Sequence, residues 1–364
     1  MRTRADHVLD GPVPARVTAG SQAPRRAAGA TLVAGVVASI GLSASPAAAL
    51  TSSAALTAAG PAAGTIFVAN AGGEPDGSNG TGPGSITVYR PGATGDTSPE
   101  VVVTKGIDGP NGIAVDASGD LWVANDAGNI VEYKRAQLAK ASPAPSVTIQ
   151  GGAFGLAFDP SGNLWVSAAE VVEYSKAELA KSGSPSPVFT LDENDCSIAF
   201  DSSGDLWEGS HGSTVSEWTR AELSKVSVLS PAPKEVIISD DLNTPCKPAF
   251  DGSGDLWVGN YNANTVVEFT QAQIAKPGSP DANVTISSSK YAAPGDVAVS
   301  SSGNLWVPYF GSDVLTSGKG SVAIWAVAEF AKGQLARSGS PKPAVTITGP
   351  DTGLNNPWAV AIEP

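Results

Sequence analysis

Residues Ile113–Asn125 read I-A-V-D-A-S-G-D-L-W-V-A-N, and variants of that phrase return four more times. They are L-A-F-D-P-S-G-N-L-W-V-S-A from Leu156, I-A-F-D-S-S-G-D-L-W-E-G-S from Ile198, P-A-F-D-G-S-G-D-L-W-V-G-N from Pro248 and V-A-V-S-S-S-G-N-L-W-V-P-Y from Val297. The tryptophans stand at 122, 165, 207, 257 and 306, so the steps are 43, 42, 50 and 49 residues. Steps of that size suit a propeller blade of four strands. Within each unit the apolar triplet before the Asp is one strand and L-W-V opens the next. The Asp-x-Ser-Gly turn between them supplies a polar start and a Gly able to take φ > 0, which makes a tight hairpin.

A third strand ends in an acid and an aromatic: Glu132-Tyr133, Glu173-Tyr174, Glu217-Trp218, Glu268-Phe269 and Glu329-Phe330. The fourth is short and β-branched, as in Val147-Thr148-Ile149 or Val345-Thr346-Ile347. Between them, Ser175-x-x-Glu178, Thr219-x-x-Glu222 and Thr270-x-x-Gln273 have the spacing of capping boxes, which predicts short helices ended by Pro or Gly-Ser-Pro.

The ends complete the count. Thr65-Ile66-Phe67-Val68-Ala69-Asn70 matches the L-W-V-A-N strand but has no inner strand before it. Pro357-Trp358-Ala359-Val360-Ala361-Ile362-Glu363 aligns with the inner strand that starts at Pro110. The expectation is an all-β, six-bladed β-propeller over residues 65–364, its ring closed non-covalently by the C-terminal strand, which leaves no open edge at the seam.

Residues 1–49 differ in kind. A positively charged stretch ends in Arg25-Arg26, an apolar small-residue run follows from Ala27 to Leu42, and Ala47-Ala48-Ala49 offers a cleavage site. That order predicts a signal peptide over 1–49, followed by a linker at 50–64 and a secreted or cell-envelope protein of bacterial type. Without the five Arg and two Asp of the leader, 17 basic and 33 acidic residues remain, a net of −16. So acidic a chain repels nucleic acid and anionic lipid. The mature part offers no membrane span, and a monomer is expected. Two cysteines in an oxidising setting, Cys196 and Cys246, each stand five residues before their repeat's Asp, and this equivalence on adjacent inner strands predicts a disulfide.

The phrase G-P-N-G-I-A-V-D-x-x-G-x-L-W-V-A-N resembles repeats of the NHL and SMP-30/gluconolactonase-like class of TolB-like propellers, and more loosely virginiamycin B lyase. The resemblance implies architecture more than activity. Lactonases of that class hold one divalent cation at the channel mouth with a Glu and Asn/Asp side chains, with P-N-G ahead of an inner strand. Pro110-Asn111-Gly112 matches that motif, whereas Pro294-Gly295-Asp296 carries its acid one place late. Asn111 and Asp296 are the candidate metal ligands, for Ca²⁺ or another divalent cation.

Any site is expected on the face opposite the Asp-x-Ser-Gly turns, where the irregular loops gather. Five positions before the repeat's Asp stand Asn111, Phe154, Cys196, Cys246, Gly295 and Trp358, a mostly apolar and sulfur-bearing ring. Glu208 interrupts a position that is Val in the other blades and is either paired, with Lys247 as partner, or a functional acid. His211, the only histidine after the leader, is a candidate base or a solvated loop residue. Asn70, Asn125 and Asn260 end their strands and either cap turns or bind ligand. Tyr309 opens a long loop running to Gly320, and Ala71–Gly84 forms another. The leading function is a secreted, non-enzymatic ligand-binding or protein-interaction propeller. The rival is a metal-assisted hydrolase or lyase of the SMP-30/lactonase type using Asn111, Asp296, Glu208 and His211.

Overall fold

The computed structural model describes residues 60–72, 83–140, 142–191, 196–224, 232–311, 313–314, 322–323 and 325–364. The expected leader, residues 50–59 of the linker and most of both long loops lie outside these residues. Five four-stranded antiparallel sheets and one of five strands follow one another along the chain as six blades. Blade 1 orders its strands Pro357–Ile362, Ile66–Asn70, Ser85–Tyr89 and Val101–Val103 from the inside outward, so its inner strand comes from the C-terminal segment. Blade 2 uses Pro110–Val115, Leu121–Asn125, Asn129–Tyr133 and Val147–Gln150, and blades 3 to 5 repeat that order. In blade 6 the inner position is split into Ala292–Pro294 and Ala298–Val299, both paired with Leu305–Gly311. The inner strands of successive blades pack side by side, and that of blade 1 touches those of both blade 2 and blade 6, closing the ring.

The repeated tryptophan has a single structural job. One apolar core fills each gap between blades. The aromatic of each second strand, Phe67, Trp122, Trp165, Trp207, Trp257 or Trp306, belongs to the core shared with the following blade. Trp122, Trp165 and Trp207 meet the next blade's Phe158, Phe200 and Phe250 edge to face, at 6.0, 5.6 and 5.7 Å. Such aromatic pairs add about 0.5–1.5 kcal/mol each beyond their buried area.

The inner hairpin is built as its sequence predicts. The Ser118 and Asp120 amides donate to Asp116 Oδ1, and Gly119 takes φ +79. Gly162, Gly204, Gly254 and Gly303 repeat that left-handed conformation. The short helices Arg220–Leu223 and Gln271–Ile274 carry complete capping boxes on Thr219 and Thr270.

The Gly-Ser-Pro segments that follow Glu178–Ala180, Gln271–Ile274 and Lys332–Gln334 do more than stop those short helices. Gly183, Gly278 and Gly339 each form a parallel bridge to the outer strand of the preceding blade, at Ile149, Ile237 and Ile286, and Gly95 does the same at Ile347. The Gln150 amide donates to Gly183 O at 2.8 Å, and the Gly183 amide to Thr148 O at 3.0 Å. These clasps join neighbouring blades at the rim, where sheet edges would otherwise be bare.

Cys196 and Cys246 are buried thiols and do not form the expected disulfide. The strand Leu206–Gly209 explains why. The Cys196 amide donates to Gly209 O at 2.9 Å, and a Cβ on Gly209 would stand 2.5 Å from Cys246 O. Backbone therefore lies between the two equivalent positions. Cys246 Sγ instead turns toward Thr244 O, at 3.8 Å.

Candidate functional site

The face opposite the hairpin turns collects four half-buried aromatics from four blades. Trp358 lies near the start of the inner strand of blade 1, Phe154 precedes that of blade 3, Tyr261 follows the second strand of blade 5 and Phe310 lies near the end of that of blade 6. Trp358 is the hub: its ring lies 5.9 Å from Phe154, 5.5 Å from Tyr261 and 5.3 Å from Phe310. Tyr261 and Phe310 meet at 6.1 Å. Burial raises the Tyr261 phenol above its ordinary value, and Cys246 beside it adds to that shift. Rings drawn from blades 1, 3, 5 and 6 can converge only over the central axis, so the cluster covers the channel mouth.

One residue further along each inner strand stand Gly112, Gly155, Ser197, Lys247, Asp296 and Ala359. This layer is polar on one side and nearly bare on the other. Asp296 is buried; it accepts from Ser197 Oγ at 3.4 Å and from the Lys247 amide at 3.4 Å. Lys247 Nζ donates to Ile113 O at 3.3 Å, crossing from blade 5 to the opposite blade 2. Gly112 is bare because a Cβ there would stand 2.5 Å from Phe154 O of the next blade. Burial pushes the Asp296 carboxyl up to about 6 and lowers the Lys247 amine, while each charge pulls the other partway back. The expectation gave Lys247 to Glu208; its Nζ lies on Ile113 O and its amide on Asp296.

The candidate residues therefore divide. Trp358 and Asp296 lie at or under the mouth, and Asn111 lies half-buried in the inner strand of blade 2. Asp296 accepts from Ser197 and from the Lys247 amide. Asn70, Asn125 and Asn260 are fully buried and bind backbone. Asn125 Oδ1 accepts from the Asp108 amide at 3.0 Å while Nδ2 donates to Gly106 O at 2.8 Å. Asn260 does the same with the Asn243 amide and Asp241 O, at 3.2 and 2.6 Å. Asn70 Oδ1 accepts from the Asn355 amide at 3.0 Å. Each pins the loop that leads into its blade's inner strand, and none is open to a ligand. Tyr309 occupies the matching place in blade 6 and packs against Tyr291 at 5.4 Å; it too is buried, and burial raises its phenol. Glu208 is buried opposite Ile198 and Ser216, and His211 is exposed, its carbonyl accepting from Thr244 Oγ1 at 3.4 Å.

Two acidic groups lie on the other face: Asp116, Asp120 and Glu132, and Asp201, Asp205 and Glu217, each with ligand atoms within 4.8 Å of one another. Lys134 Nζ already sits on the first, 2.6 Å from Glu132 and 3.0 Å from Asp120, and Lys234 lies 3.5 Å from Glu217. In blades 3, 5 and 6 an Asn serves the matching glutamate: Asn163 donates to Glu173, Asn283 to Glu268 and Asn304 to Glu329, at 2.7, 2.8 and 2.6 Å. The acid of the repeat thus has a side-chain partner in each of these five blades.

Among known families, residues 97–133 match one described as strictosidine synthase-like, N-terminal, a small part of the chain. No curated protein matches the sequence. Many solved structures share the fold. A protein of unknown function from Bacteroides caccae aligns at 12% identity with a TM-score of 0.52, covering 81% of this chain and 97% of that one. A chain from a nidogen/laminin complex aligns at 14% identity with a TM-score of 0.50, covering 83% and 99%. At these identities the likeness is one of fold. Among the described residues no helix is long and apolar enough to cross a membrane.

Proposed function

We propose that this chain is an exported binding propeller of the broad NHL and SMP-30-like class, which recognises an extracellular ligand or protein without chemistry at the channel mouth. The observation that carries this reading is the aromatic cover of Phe154, Tyr261, Phe310 and Trp358. Half-exposed rings offer large contact area at small entropic cost, and aromatic side chains dominate recognition surfaces for that reason. A fold neighbour from a nidogen/laminin complex is compatible with a role in protein contact. A lactonase-like reaction would instead need oxygen ligands converging at the mouth, where this chain has rings above a lysine and a buried aspartate.

Metal analysis of the full chain after dialysis tests the choice. Far less than one divalent ion per chain is expected, and about one tightly held ion would overturn the reading in favour of the metal-assisted hydrolase or lyase. Export is tested separately by the mass of the protein recovered from culture medium, expected to begin near Leu50.

A further inference from the structure

The chain carries a formal net charge of −13, but that charge is not evenly spread. A groove of about 550 Å³ runs over the outer strand of blade 6, between Lys290-Tyr291 after blade 5 and Thr94-Gly95 of blade 1. Residues 88–95, 282–294 and 331–349 form its walls; they hold Arg90, Lys290, Lys332, Arg337 and Lys342 and no acid. A second, shallower groove shares Ser340 and Pro341 with the first and leads on to Arg337. Asp96, next after Gly95, gives its Oδ1 to the Asp351 amide at 2.7 Å. Charges farther away than about 8 Å are largely screened at physiological salt, so a ligand here meets the local cations more than the net charge.

The rim clasps hold these walls in place. The Gly95 amide donates to Thr346 O at 2.7 Å and the Thr348 amide to Gly95 O at 3.1 Å. Ser287 Oγ and Ser340 Oγ lie 2.5 Å apart across the other side. Ser288 Oγ accepts from the Lys290 and Tyr291 amides at 3.1 and 3.0 Å, and the Lys290 ammonium lies 5.2 Å from the centre of the buried Tyr291 ring. The Lys342 carbonyl accepts from Gln334 Nε2 at 2.6 Å. Nothing in the repeat asks for a cation at 342, because the matching places after Ser-Pro are Ala144, Ser186, Ala232 and Asp281. Lys290 and Lys342 are both exposed, and among the described residues neither has a carboxylate partner.

We propose that this groove binds an acidic polysaccharide, with its carboxylates on Lys290, Lys342 and Arg337. Cations spaced along an extended groove suit a repeating anion better than a single one. Between them the lining is rich in hydroxyls, such as those of Ser289, Ser340, Thr346 and Thr348. Each can donate and accept, as the hydroxyls of a sugar do. A nucleic acid fits less well, because the one ring in the walls, Tyr291, is buried and offers no base a stacking surface.

The test measures binding of the full chain to immobilised polygalacturonate, to its methyl ester and to poly-glutamate at physiological salt. The methyl ester keeps the sugar chain and removes the charge; poly-glutamate keeps the charge and removes the sugar. Polygalacturonate is expected to bind more tightly than either. Lys290→Ala or Lys342→Ala should weaken binding about threefold and the double variant about tenfold, the scale of exposed ion pairs. Lys181→Ala, on the exposed rim of blade 3, should bind like wild type. No binding to polygalacturonate overturns the proposal, as does equal binding to the methyl ester or a double variant that binds like wild type. Equal binding to poly-glutamate overturns the assignment to a polysaccharide. None of these results bears on metal content or on the aromatic face, so the two proposals fail separately.

Discussion

The asparagines that end the second strands show how much of this fold rests on single amides. Asn125 ties the loop Gly106–Asp108 to its strand by accepting one backbone hydrogen bond and donating another. Asn125→Ala leaves both backbone groups without these partners inside the protein, and stability should fall by about 2 kcal/mol in urea denaturation. The repeat's glutamates make a second prediction. Burial pushes Glu217 up from 4.5 to about 7, against the pull of Lys234. Between those values the native state binds more protons than the unfolded chain, so stability falls as pH rises. The contribution is fully present below 4.5 and lost through 7. Glu132, Glu173, Glu268 and Glu363 shift the same way. Tm should therefore be higher at pH 5 than at pH 8, and Glu217→Gln should raise it at pH 8 while leaving pH 5 nearly unchanged. A flat profile in the wild type would contradict the burial of these acids. For the cysteines, alkylation of exported protein unfolded without reductant should recover both thiols.

At the scale of elements, the strands and hairpins were legible because each obeys a local rule repeated five times. The Asp-x-Ser-Gly turn, the capping boxes and the lone strand at residue 66 could each be read from a short window. What escaped the reading depends on contacts between windows. Gly-Ser-Pro read as a helix stop, yet it also clasps the neighbouring blade's outer strand, because a parallel bridge leaves no pattern in either partner. Lys247 and Asp296 occupy a layer that is Gly, Ser or Ala elsewhere, but only the ring's diameter shows that they meet. Tyr261 and Phe310 stand just past the part of the second strands that repeats, so their convergence on Trp358 was hidden. The expected disulfide failed for a related reason: equivalent places on adjacent inner strands are separated by the backbone of Gly209. The clasps themselves can be tested. Gly183→Pro removes the donor to Thr148 O and should cost about 1 kcal/mol or more, measured by the same urea titration.

For the whole molecule, closure converts a linear array into a ring in which every blade has two neighbours. Deleting Trp358–Pro364 removes the inner strand of blade 1, takes Ala359 and Val360 out of two inter-blade cores and bares the strand Ile66–Asn70. The truncated chain should aggregate or melt without a cooperative transition, and a wild-type melt would refute the role of that strand. The same closure places two distant stretches of sequence side by side. The Gly64 amide donates to Glu363 O at 2.9 Å, and the Glu363 amide to Thr65 O at 2.9 Å. A short linker could therefore join residue 364 to residue 62, and new ends could be cut at the exposed Asp126-Ala127 hairpin of blade 2. Such a circular permutant would carry its seam as two strands on two, in place of one on three. The ring has no privileged starting point.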